Sequence, residues 1–77
     1  MQSGDELMRQ WLIDLREKKG FSQKAVCDYA GISQPTYWEY ERGISTPKPL
    51  NAKKIGQFLG FDWTRFYEDE KKEGKPA

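Results

Sequence analysis

Apolar residues recur along this chain with a helical period, and no stretch shows the strict alternation of a half-buried strand. In "ELMRQWLIDLREKKG", Leu7, Trp11 (or Met8), Leu12 and Leu15 fall on one stripe. Ser3 and Glu6 stand ahead of it in capping-box spacing. Lys18 and Lys19 occupy the last turn, where cations suit the carbonyl end of the helix dipole, and Gly20 can end the helix in a left-handed conformation. Ser22 is suited to cap a second helix, "QKAVCDYA", with Val26, Cys27 and Ala30 inward and Gly31 as its stop. Ser33 can cap a third, from Gln34 to Arg42. Pro35 falls in its first turn, where backbone N–H groups lack an intrahelical partner, so it marks a start rather than a break.

Gly43 closes that helix, and "ISTPKP" reads as a loop. A fourth helix is expected from Pro49 to Leu59, with Ala52, Ile55, Gly56 and Leu59 at i, i+3, i+4 and i+7 and Gly60 at its end. Asp62 can cap a short fifth, "WTRFYED", whose Trp63, Phe66 and Tyr67 are apolar. The pattern predicts an all-α domain of five helices over residues 1–68. Residues 69–77 form a charged tail with nothing to bury, predicted to be disordered. There is no internal repeat.

Composition narrows the chemistry. Seventy-seven residues lie near the lower limit for a chain that folds without staples, and 14% aromatic content suits a core of few, bulky side chains. Thirteen Lys+Arg against 12 Asp+Glu leave a net charge of +1, so any basic footprint must come from arrangement. One cysteine and no histidine exclude an internal disulfide and a Cys/His zinc site. The chain also lacks a Ser-His or Cys-His pair and a glycine-rich phosphate loop. The expectation is a protein without enzymatic activity, cofactor or metal. No apolar run approaches membrane-spanning length and "MQSGDELMRQ" is acidic rather than signal-like, so a soluble, cytoplasmic protein is expected.

Two short helices joined by "GIS" are the ingredients of a helix-turn-helix. The second helix needs a small residue where the third crosses it, which Cys27 supplies. The turn needs a residue tolerant of positive φ, which Gly31 supplies. Tyr37 and Tyr40 at i, i+3 bury one stripe of the third helix, and Gln34, Pro35, Trp38, Glu39 and Arg42 face outward.

The stretch "SQKAVCDYAGISQPTYWEYERG", Ser22 to Gly43, resembles the helix-turn-helix of lambda-repressor-like, Cro-type regulators of the XRE superfamily. That family's pattern has ungapped counterparts here in Ser22-Gln23, Val26-Cys27, Gly31, Ser33, Tyr37, Tyr40 and Glu41-Arg42-Gly43. "LREKKGFSQ" upstream and "IGQFLGFDWTRFYED" downstream extend the likeness to about residues 7–67, and it is greatest to small phage and prophage regulators. The resemblance implies a compact five-helix DNA-binding domain that binds a double-stranded DNA operator as a homodimer. Its third helix would enter the major groove, with Gln34, Pro35, Trp38 and Glu39 toward the bases. Ser22, Gln23, Lys24, Arg42, Ser45 and Lys48 would meet phosphates, with Lys19 and Lys53 as further cations. Arg16 and Glu41 match an internal ion pair between the first and third helices.

Three features depart from the family. Pro35 cannot donate a hydrogen bond, Trp38 is very large, and Pro49 and Ala52 replace leucines common in the fourth helix. The last departure predicts a late start or looser packing there. Cys27, Trp11, Phe21, Phe61, Trp63 and Phe66 are expected in the core, whereas Tyr29 and Trp38 should face solvent. Trp63, Phe66 and Tyr67 either close the core or offer a dimer interface. The near-neutral charge and exposed aromatics also fit a rival reading, a protein-interaction module on the same scaffold such as an antitoxin, antirepressor or assembly adaptor.

Overall fold

The computed structural model describes residues 8–68. Four helices, α1 (Gln10–Lys18), α2 (Gln23–Ala30), α3 (Gln34–Arg42) and α4 (Pro49–Leu59), are followed by a helical turn, α5, at residues 65–68. No strand occurs among the described residues. The Ser3/Glu6 capping box and the tail over 69–77 lie outside them. The arrangement is all-α: α2 packs on both α3 and α4, while α1 packs on α3. Leu12, Val26, Cys27, Ala30, Tyr37, Tyr40, Ala52, Ile55, Leu59 and Phe66 form one buried cluster, drawing at least one side chain from every helix.

The local chemistry of the ends is plain. Ser22 and Ser33 cap α2 and α3, their hydroxyls accepting from the backbone N–H of Ala25 and Thr36. Gly31, at φ 72°, ends α2 and turns the chain into α3, its N–H donating to the Cys27 carbonyl at 2.8 Å. Cys27 is buried beneath that turn, with its thiol 3.7 Å from the Ser33 carbonyl. Burial pushes the thiol pKa up, which keeps it protonated and inert.

The first helix differs from expectation at its start. The apolar stripe counted back to Leu7, but the helix begins at Gln10, and Arg9 leaves helical geometry at φ −89°, ψ 74°. The reason is tertiary: the Arg9 side chain turns inward, only 5% exposed, to reach the far end of α3. The fourth helix differs the other way. It starts at Pro49, and Ala52, Ile55 and Leu59 are all fully buried, so losing the leucines neither delays nor loosens it.

Gly56 explains how α4 and the last turn fit together. A Cβ at Gly56 would stand 2.7 Å from the Phe61 carbonyl oxygen and 3.2 Å from the Trp63 nitrogen. Only a glycine lets the returning backbone lie so close. Asp62 then organises the turn, its Oδ1 accepting from the backbone N–H and hydroxyl of Thr64. Those bonds hold its carboxyl below the usual aspartate range. Phe66 is fully buried and stacks edge-on to Phe61 near Trp11, so it closes the core rather than forming an interface. Tyr67 donates its hydroxyl to the Pro47 carbonyl at 2.7 Å, tying α5 to the α3–α4 loop.

Candidate nucleic-acid interface

The face that α2 and α3 turn outward is built by local rules. With Tyr37 and Tyr40 buried, the 3.6-residue period leaves Gln34, Pro35, Trp38 and Arg42 exposed along one side of α3. Ser22 and Lys24 are exposed at the amino end of α2, and Lys48 is exposed at the start of α4. Gln23, Glu39 and Ser45 are half-buried among them. Of the candidate base-facing and phosphate-facing residues, none is fully buried.

Several of these side chains already have partners, and the partners limit what each can offer. Lys24 pairs with Asp28 one turn on at 2.9 Å, both largely exposed, so its charge is partly offset. The Ser45 hydroxyl donates to the Glu39 carboxylate at 3.3 Å, which draws Glu39 toward the loop. The Arg42 guanidinium lies 5.3 Å from the centre of the Trp38 ring, a cation–π contact on the surface. Trp38 is 43% exposed and Tyr29 47%. Their settings differ: Tyr29 lies flat on Phe58, which in turn stacks on Phe21, whereas Trp38 stands beside Arg42 on the outer side of α3. Lys53 is held over the Trp63 ring, and the Lys19 side chain runs beside Gly60.

Beneath this face lies a charged cluster. Arg16 Nε donates to Glu41 Oε2 at 2.6 Å, and Arg16 Nη1 donates to the Phe21 carbonyl at 2.8 Å. Glu41 Oε1 also accepts from the Gln23 side-chain amide at 2.9 Å. Glu41 is therefore structural, and it fixes Gln23 at the opening of α2 through one of the two amide hydrogens. Burial works against the Arg16 charge, but the Glu41 carboxylate outweighs it and raises the arginine pKa. Burial first, and Glu41 second, push the neighbouring Tyr37 phenol far above its ordinary value. Through Glu41, Arg16 and Gln23 tie α1 and α2 to α3.

One polar residue of consequence was missed in the chain. Arg9 joins the carboxyl end of α3 to the loop after it. A signal existed: Arg9, Leu12 and Arg16 stand at i, i+3 and i+7, the inward stripe of α1. Arginines are rarely buried unless paired, so the spacing alone does not single Arg9 out.

A capped helix, a left-handed glycine turn and a second capped helix crossing over a small buried residue define a helix-turn-helix domain of the lambda-repressor-like kind. Residues 12–66 match the helix-turn-helix family. The chain belongs to that family, XRE-type transcriptional regulators that bind DNA. Over 63 residues it is 46% identical to YqaF, an uncharacterized HTH-type transcriptional regulator of Bacillus subtilis (strain 168), covering 82% of this chain and 83% of that one. Over 47 residues it is 34% identical to the cryptic phage CTXphi transcriptional repressor RstR of Vibrio cholerae. That alignment takes in 61% of this chain and 42% of RstR. No solved structure matches the chain. Among the described residues, no helix is long and apolar enough to cross a membrane, and no cluster of three metal-ligating side chains occurs.

Proposed function

We propose that this chain is a sequence-specific transcriptional regulator, a phage or prophage repressor or a Cro-like protein, that lays α3 in the major groove of a double-stranded operator. The observation that carries the reading is the exposed side of α3, with the amino end of α2 tied to its last turn by the Gln23–Glu41 bond and the loop through Lys48 leaving from that same end. Gln34, with donor and acceptor on one amide, suits the N6/N7 edge of adenine. Pro35 and Trp38 offer apolar contact to a thymine methyl, and Glu39 can accept from cytosine N4. Ser22, Gln23, Lys24, Arg42, Ser45 and Lys48 would meet the phosphates, helped by the amide groups at the start of α2. Two copies would bind as a homodimer in the cytoplasm, their recognition helices one helical turn apart on a roughly palindromic site.

The test is selection of bound sequences from random duplex DNA at two salt concentrations, with Gln34→Ala beside the parental protein. The expected result is an enriched, roughly symmetric motif whose specificity relaxes at one position in the variant, at a cost of about 1–3 kcal/mol. Recovery of no motif would end this reading. It would instead favour the protein-interaction module, for which the Lys24–Asp28 pairing and the exposed Trp38 and Tyr29 speak. A promoter–reporter assay on the selected site separates repression from activation.

A further inference from the structure

Arg9 makes contacts out of proportion to its place at the edge of α1. Its Nη1 donates to the Tyr40 carbonyl at 2.6 Å and to the Ser45 carbonyl at 2.9 Å, and its Nη2 donates to the Thr46 hydroxyl at 2.7 Å. Its backbone N–H donates to the Glu41 carbonyl at 2.8 Å. The guanidinium carbon lies 5.4 Å from the centre of the Phe66 ring. One residue thus grips the last turn of α3, the loop after it and α5.

The carbonyls of Tyr40 and Glu41 belong to the last turn of α3, where carbonyls lack intrahelical donors and a cation is favoured. A helix cap needs no more than these. Arg9 goes further, to Ser45 and Thr46, beyond the helix and at the start of the run that leads to Lys48. Among the described residues the loop's own backbone ties are few: the N–H groups of Ile44 and Ser45 share the Glu39 carbonyl, at 3.0 and 3.4 Å. The planar fork of an arginine can satisfy three acceptors at once in fixed directions, which a lysine ammonium on a flexible stem cannot.

We infer that Arg9 is a positioning residue for DNA binding: it sets the loop from Ile44 to Lys48 against the end of α3 so that the loop's groups are already arranged for the phosphate backbone. The inference rests on the DNA-binding reading above. Arg9 itself is buried and touches no DNA. It acts by removing the ordering cost that a free loop would bear on binding.

Arg9→Lys tests this, with Arg9→Met as the harsher variant. In the free protein, hydrogen exchange at Ile44 and Ser45 should quicken about tenfold in Arg9→Lys, while amides within α2 and α4 keep their protection. Unchanged exchange at Ile44 and Ser45, or a uniform rise along the chain, would overturn the role. On the selected duplex, Lys48→Ala is then compared in the parental and Arg9→Lys backgrounds. The expected outcome is coupling: Lys48→Ala weakens the parental protein about tenfold and the Arg9→Lys protein far less. Losses that simply multiply, with the parental protein binding normally, would overturn Arg9 as a positioning residue and leave DNA binding intact. A parental protein that selects no duplex would instead sink the DNA reading itself.

Discussion

The two ends of α3 are held in opposite ways. At the amino end, Ser33 caps the helix three residues away, its hydroxyl accepting from Thr36 N–H at 3.3 Å and donating to the Thr36 hydroxyl at 2.8 Å. Gln34 and Pro35 beside it are exposed. At the carboxyl end, Arg9 reaches Tyr40 from 31 positions away and Arg16 reaches Glu41 from 25. The end proposed to read bases is therefore shaped by near neighbours, and the other is anchored by distant ones. A local end can change its outward side chains without disturbing the fold. An anchored end cannot, and it transmits any change to α1 and the loop.

The largest expected effect is at the anchored end. Glu41→Ala removes the buried partner of a half-buried arginine and releases Gln23, and it should cost about 3 kcal/mol, a large share of the stability of a domain this small. Thermal unfolding followed by circular dichroism reads this directly, and a loss under 1 kcal/mol would mean the anchor is a surface pair in effect.

Next comes alkaline pH. The folded-state pKa of Tyr37 lies above its unfolded value, so its contribution is fully present below the ordinary phenol value of 10.0 and is lost as pH rises past it. At pH 11 the loss should be on the order of 1 kcal/mol. Urea unfolding at pH 8 and pH 11 should show a fall that is smaller in Tyr37→Phe; equal falls in both proteins would remove Tyr37 as the cause.

Ser33→Ala, at the local end, should cost about 1 kcal/mol and leave exchange at Ile44 and Ser45 unchanged. A change in the loop would show that the two ends are not independent. Smallest is Asp28→Asn, which frees Lys24 from an exposed pair. Stability should move by less than about 0.5 kcal/mol, while duplex affinity rises slightly, and more at low salt than at high. Weaker binding at low salt would place Lys24 away from the phosphates.

Near neighbours also mark what could be read in the chain. The spans of α3 and α4 follow from Ser33, Pro35, Gly43, Pro49 and Gly60, each of which acts on the backbone within a turn of itself. The inward side of α2 follows from helical period, and so does the outward face of α3. Phe66 could be read only as either core or interface. The choice needed the path of the chain after Gly60, which Gly56 permits by letting backbone pass within reach of a would-be Cβ. Glu39, proposed at the bases, could not be seen to lean on Ser45, because that contact depends on how the loop folds back.

Composition, period and capping residues were thus sufficient for an all-α helix-turn-helix domain and for which face of α3 points outward, because those features depend on interactions within a few residues. The start of α1 at Gln10, the burial of Arg9 and the bond from Gln23 to Glu41 belong to the assembled structure alone. An arginine or glutamine side chain is long enough to be solvated or to be drawn inside. Which of these occurs is decided by acceptors that only folding brings within about 3 Å of its nitrogens.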